Sequence, residues 1–210
     1  MRGLPARGRR APARGCAMSG SSTIRLEPHE IAWIRGGPRA AVQVSVLDLH
    51  LRGAVGAGRA GTMRSSGPVK GQAGQAGKTL PPLTKAVHAA LYRPAGLRQL
   101  LDRQGVRSAL ADLRRELAAA GLLRAFPPGR TRAARRALKE LRERHPLPAG
   151  RAGLSAEDTL LAVALYGDRA LTALTPRFAR EAGLTGRGGT TERELPRSSG
   201  GGGGFTCGSV

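Results

Sequence analysis

Apolar positions recur every three or four residues along most of this chain, and Gly or Pro interrupts them at short intervals. That period turns one face of a helix toward a core, whereas a half-buried strand alternates every second residue. The first such stretch begins at Ile24. Pro28 suits the first turn of a helix there, because its missing N–H has no partner in that turn anyway. Ile31, Ala32 and Ile34 supply an apolar face, and Gly36-Gly37 stops it. Pro38 starts a second helix, with Ala41, Val42, Val44, Ser45 and Leu49 on its apolar side, Val46 and Leu51 alongside, and Gly53 at its end. Ala54-Val55 predicts a short strand, the turn GAGRAG a reversal, and Thr62-Met63-Arg64 a returning strand. Residues 24–64 therefore read as a helical unit with a short wing, and 65–79 (SSGPVKGQAGQAGKT) as a flexible linker.

A second, three-helix unit spans 80–125. Leu83, Val87 and Leu91 share one helical face; Pro94 opens a short helix through Leu97, Leu100 and Leu101, which Gly105 ends. Val106, Leu110, Leu113 and Leu117 form the cleanest amphipathic helix, with Gly121 as its C-cap and Leu122-Leu123 as a short strand. The two units close alike, on LHLRG-AV and LAAAG-LL, the helix–Gly–strand corner of a winged-helix-like unit. Residues 126–184 read as a basic helix and a C-terminal helical hairpin. The basic helix, within GRTRAARRALKELRERHP, has a narrow stripe of Ala134, Ala137, Leu138 and Leu141. Ser155 caps the next helix, whose first turn holds Glu157 and Asp158 and which runs through Leu160, Leu161 and Val163 to Gly167. A last short helix covers Pro176 to Ala182. The expected fold is mainly α: small helical units, two of them winged-helix-like with short β-wings, followed by C-terminal helices.

Composition changes this picture at the edges. Aromatics make up 3% of the 210 residues, so the core must be built from Leu, Val and Ala, which suits packed helices better than sheets. Residues 1–23 form a basic Arg-, Gly- and Pro-rich arm and 185–210 a Gly-rich tail; neither offers enough apolar surface to offset ordering, so both are expected to be disordered. The arm is Arg-rich and acid-free in the manner of a transit peptide, and Met18 offers an alternative start of translation. The formal net charge is +21, from 35 basic and 14 acidic residues. All but Lys70, Lys78, Lys85 and Lys139 of the basic residues are arginine, a ratio that GC-rich coding explains as well as binding does. A field of that sign attracts polyanions in either case. Cys16 and Cys207 lie in the two ends and make neither a disulfide framework nor a metal motif. No stretch approaches 18 consecutive apolar residues, and the N-terminus has no apolar signal region, so a cytoplasmic protein without a transmembrane segment is expected.

The segment LEPHEIAWIRGGPRAAV resembles an uncharacterised, largely actinobacterial family with Leu-x-Pro-x-Glu-Ile-Ala near the N-terminus, followed by Gly-Gly-Pro. The matching positions are Leu26, Pro28, Glu30, Ile31, Ala32 and Ile34, then Gly36, Gly37, Pro38, Ala41 and Val42. LRRELAAAGLL, LAVALYGDRALTAL and the Gly-rich tail with its Cys extend the likeness over most of 24–184. Many such relatives carry a membrane-spanning stretch after the Gly-Leu-Leu corner, whereas this chain passes from Leu123 straight to Phe126-Pro127-Pro128. The resemblance implies a structural role for Leu26, Pro28, Glu30, Gly36, Gly37 and Pro38, and no catalytic residue.

Candidate chemistry is sparse. His29-Glu30 opens like a zincin helix, but position 33 is Trp where a second His is needed. Asp48 and His50 would not share a helical face, and His88 and His145 stand alone, so no metal site is expected. The serines Ser19, Ser21, Ser22, Ser65 and Ser66 sit in expected flexible stretches, away from any positioned base, and Glu157-Asp158 is a helix start rather than a catalytic pair. No enzyme and no cofactor is expected. Gly36-Gly37-Pro38-Arg39 has the make-up of an anion-binding helix start, or of a tight corner between helices. The two basic helices carry the remaining candidates for anion or nucleic-acid contacts: Arg107, Arg114 and Arg115 on one, Arg132, Arg135 and Arg136 on the other. The favoured function is a non-enzymatic helical interaction or scaffold protein whose basic surface, Arg39 included, meets an acidic protein or an anionic surface. The alternative is a winged-helix-like DNA-binding protein, and an enzyme comes last.

Overall fold

The structure, a computed structural model, describes residues 26–59, 61–69, 80–124, 126 and 129–185. The basic arm, most of the linker, both cysteines and nearly all of the Gly-rich tail lie outside these. The described residues form a mainly helical protein with eight helices and two small two-stranded antiparallel sheets. The expected class, mainly α with short β-wings, is what the chain adopts.

Helix α1 (Pro28–Leu51) begins on the Glu27 backbone N–H, which donates to the Glu30 carboxylate at 2.7 Å, with Pro28 at its first position. At Gly37 the backbone takes φ 75°, ψ −162°, outside any helical conformation, and Pro38 restarts the rod. The two helices read from the sequence are thus the halves of one kinked element, bent where Gly permits a left-handed φ and Pro removes a ladder hydrogen bond. Every residue from Ala40 to Leu49 is buried, Gln43 and Asp48 included. A helix covered all round lies at the centre of its domain. Accordingly α1 packs most extensively on α6 (Ala156–Tyr166), then on α2 (Pro82–Ala90) and α3 (Leu97–Asp102).

Both Gly corners have the same construction. After α1, Gly53 adopts φ 71° and the Ala54 N–H reaches back to Leu49 O at 2.9 Å; after α4 (Gln104–Ala119), Gly121 adopts φ 70° and the Leu122 N–H reaches Leu117 O at 2.9 Å. A hairpin follows each corner. The first pairs β1 (Val55–Ala57) with β2 (Met63–Ser65), the second β3 (Leu123–Arg124) with β4 (Gly129–Arg130). Each is closed by one more bond to the residue before its first strand, Ser66 N–H to Ala54 O at 2.8 Å and Thr131 N–H to Leu122 O at 3.1 Å. The echo in the sequence is therefore a repeat in space.

Several details differ from the sequence reading. Ser65 belongs to β2 and Ser66 is tied to Ala54, so the start of the expected linker is ordered backbone. Residues after Pro94 first add an isolated bridge, Ala95 exchanging both backbone bonds with Met63 at 2.9 and 3.0 Å, and α3 starts only at Leu97. Gly105 does not end that helix; it lies in the first turn of α4, where Arg103 separates the two helices by an extended backbone step. The second hairpin carries a returning strand, β4, that feeds directly into α5 (Arg132–Arg144). Gly167, at φ 65°, ends α6 and immediately begins α7 (Asp168–Leu174), a helix absent from the sequence reading, before α8 (Pro176–Glu181). The buried aliphatic side chains of all these helices and of the first hairpin form one continuous core, and Leu123 of the second hairpin packs against it half-buried.

Candidate functional site

Basic residues collect on the second hairpin and α5. Thr131 caps α5, its Oγ1 accepting from the Ala134 N–H at 3.2 Å, and this fixes the helix directly behind β4. Ala134 and Leu138 turn inward and leave Arg132, Arg135, Arg136 and Lys139 exposed. The far end of α5 is pinned to α6: Arg142 Nη2 donates to Leu165 O at 3.1 Å, and Tyr166 Oη donates to His145 O at 2.8 Å. Arg130, Arg135, Lys139 and Arg142 line a shallow groove of ≈340 Å³ floored by Leu138, with Glu143 on its rim. Lys139 and Glu143 lie 3.8 Å apart and exposed, a weak pairing. Phe126, between the strands of this hairpin, is 91% exposed.

The other sequence candidates sit elsewhere. Arg107, Arg114 and Arg115 are exposed on α4, whose Val106, Leu110, Leu113 and Leu117 face the core; Arg115 is paired with Asp112. Arg39 is half-buried just past the kink and is held by interactions of its own. The structure thus groups Arg132, Arg135 and Arg136 on one helix, the α4 triplet on another, and Arg39 with neither. Arg35 was not singled out in the sequence, yet its Nε donates to Ala164 O at 2.8 Å, at the electronegative end of α6. Burial lowers its pKa, Asp168 opposes that, and Arg142 and Arg130 add to it. The φ at Gly167 calls for glycine, and a Cβ there would also displace the Arg35 guanidinium, the movable end of that side chain.

The Leu26–Pro38 motif builds a second feature. Leu26, Pro28 and Glu30 line a cleft of ≈580 Å³, and the bend at Gly37 turns the later part of α1, with Val44, Ser45 and Asp48, onto the same cleft. Pro81, Pro82 and Thr84 at the start of α2 and Glu157, Leu160 and Leu161 of α6 complete the walls. Asp48 accepts from Arg52 Nε at 2.6 Å, with both side chains about nine-tenths buried. Burial lowers the His29 pKa, partly offset by Glu27. Burial raises that of Glu30; the Glu27 backbone bond opposes this, while the Glu27 and Glu116 carboxylates reinforce it. Ser45 is 1% exposed and its hydroxyl has no hydrogen-bond partner. In the sequence Ser45 had counted as part of an apolar face. Its one available signal was a polar residue inside an otherwise aliphatic run.

The histidines lie apart. His29 lines the cleft, His50 stacks on Phe178 at 3.6 Å with Nδ1 3.0 Å from Val55 O, and His88 Nε2 lies 3.3 Å from Ser65 Oγ and 3.2 Å from Gly67 O. Among the described residues no group of three or more His, Cys, Asp or Glu side chains is placed to hold a metal ion, and no helix is long and apolar enough to cross a membrane. Compared with known protein families, with characterised proteins and with solved structures, the chain matches none.

Proposed function

We propose that this protein is a non-enzymatic interaction module whose basic face, made by the β3–β4 hairpin and α5, docks on an acidic protein or another anionic surface. The observation that carries the reading is the groove on α5, where Arg130, Arg135, Lys139 and Arg142 converge beside exposed Arg132 and Arg136. Phe126 supports it, because an exposed aromatic among arginines has the make-up of an interface anchor rather than of ordinary surface. Such a face attracts at long range and is screened by salt. The test is fluorescence anisotropy with a labelled oligoglutamate on the full chain. Arg135→Glu with Lys139→Glu is expected to weaken binding by about tenfold or more at low salt while leaving helicity unchanged. Equal affinity in that variant overturns the proposal.

A second reading, winged-helix-like DNA binding, is favoured by one observation. The order α2, Ala95 bridge, α3, α4, β3–β4 is that of a winged helix, with α4 in the recognition position and Arg124 and Arg130 on the wing. Against it, Ala95 pairs with β2 rather than with the wing strands, and α4 offsets its three arginines with Asp112 and Glu116. Preference among duplex sequences, lost in Arg114→Glu with Arg115→Glu, would select this reading; loose binding to every duplex alike would not.

A further inference from the structure

The cations of the α5 groove outnumber the anions around them. Arg130, Arg135, Lys139 and Arg142 share the lining with one carboxylate, Glu143, which leaves an excess of three positive charges. Glu143 pairs with Lys139 at 3.8 Å, both of them exposed, and such a contact is weak. Among the described residues no carboxylate is paired with Arg130, Arg135 or Arg142.

A second observation lies at the end of α6. Arg35 Nε donates to Ala164 O at 2.8 Å and Arg142 Nη2 to Leu165 O at 3.1 Å, so successive carbonyls of the last turn hold two guanidinium groups. Those bonds fix the two groups without cancelling them, because a helix end supplies only about half an elementary charge. The charge on Arg35 is opposed first by its burial, favoured by Asp168, and opposed again by Arg142 and Arg130. Two arginines of the groove thus stand within repelling distance of a third, an arrangement that a bound anion relieves.

The anion that balances this groove carries about three negative charges in a small volume. A carboxylate brings one, whereas a phosphoryl group brings up to about two on three acceptor oxygens. The planar fork of arginine meets those oxygens two at a time. A groove of ≈340 Å³ is at the small end of ligand sites, which suits a short chain of phosphates.

We infer that this groove is a binding site for an oligophosphate, a chain of two or three phosphoryl groups. Arg135 and Lys139, one turn apart on α5, and Arg130 on β4 donate to its oxygens. Arg142, already anchored on α6, donates from its remaining N–H groups. The inference rests on the anion-docking reading of the same face and names the group that its groove takes.

Isothermal titration calorimetry on the full chain at physiological salt tests it, with sodium tripolyphosphate and ATP as probes and citrate, a tricarboxylate, as control. Saturable binding of tripolyphosphate is expected, about tenfold or more tighter than citrate. ATP bound no tighter than tripolyphosphate assigns the phosphate chain itself, and ATP bound more tightly assigns a nucleotide. Arg135 is exposed, so Arg135→Gln is expected to keep the wild-type circular dichroism and weaken binding about tenfold. Arg142→Lys, which keeps the charge and loses the fork, is expected to weaken it as well. Arg114→Gln with Arg115→Gln removes more charge, but from α4, and is expected to change nothing. Citrate bound as tightly as tripolyphosphate, wild-type affinity in Arg135→Gln, or an equal loss in the α4 variant overturns the inference. Oligoglutamate bound without tripolyphosphate overturns it alone; neither bound overturns the docking reading with it.

Discussion

His29, His50 and Glu30 set the expected pH response at the scale of single residues. Burial holds both imidazoles below the ordinary value of 6.5; at His50 the Val55 carbonyl opposes this, Arg151 adds to it and Glu181 opposes it. In the interval just below 6.5 the unfolded chain therefore binds protons that the folded chain does not, so stability rises with pH there and levels off above. Glu30 acts in the opposite sense. Its pKa is raised above 4.5, so the folded chain holds a proton the unfolded chain has lost, and stability falls as pH climbs through the interval just above 4.5. Thermal unfolding across pH 4 to 8 is expected to lose its rising limb in a His29→Gln, His50→Gln double variant and its falling limb in Glu30→Gln. An unaltered profile in both variants would contradict the burial of these groups. At this scale the sequence was legible wherever a residue acts on its near neighbours. Ser155, whose Oγ accepts from the Asp158 N–H at 3.0 Å, was readable as a cap from its spacing alone. Ser45 was not, because what distinguishes it is a missing partner among residues distant in the chain.

Among the elements, the glycines decide the shape. Gly37 and Gly167 both hold positive φ, with ψ of −162° and −132°, where side-chain-bearing residues are strained. They differ in their surroundings: nothing lies within 4 Å of a Cβ built at Gly37, whereas one at Gly167 meets the Arg35 guanidinium. Gly37→Ala is therefore expected to cost about 1–3 kcal/mol from backbone strain alone. Gly167→Ala is expected to cost more, since it also displaces the cation that meets the end of α6. For a chain of this size each kcal/mol lowers the melting temperature by about 2–4 °C, so calorimetry resolves the order. Equal melting temperatures for Gly167→Ala and Gly37→Ala would refute the added cost of displacing Arg35. Gly and Pro punctuation made the two hairpin corners and the break in α1 legible. It misled at Gly105, because a glycine without positive φ is tolerated in the first turn of a helix, and it hid α7, which Gly167 joins to α6 without an intervening loop.

For the whole molecule, three-to-four-residue periodicity was enough to give the class, since each helix must bury a stripe whatever it packs against. It was not enough to give the packing. The contact of α1 with α6, through Arg35 to Ala164 O, and the bond from Gln43 Nε2 to Leu184 O beyond α8, at 2.6 Å, join segments more than a hundred residues apart, and no local pattern encodes such pairs. That packing separates two kinds of surface. Cations gather on the second hairpin and α5, and a cleft with excess carboxylate opens where α1, α2 and α6 meet. The central functional claim is that the first of these surfaces is where an anionic partner docks. Hydrogen exchange of the full chain, read by mass spectrometry with and without saturating oligoglutamate at low salt, locates the contact directly. Slowed exchange over residues 129–144 is the predicted result, with α4 unchanged. Protection confined to 104–119, or bound oligoglutamate with no protection over 129–144, would contradict it.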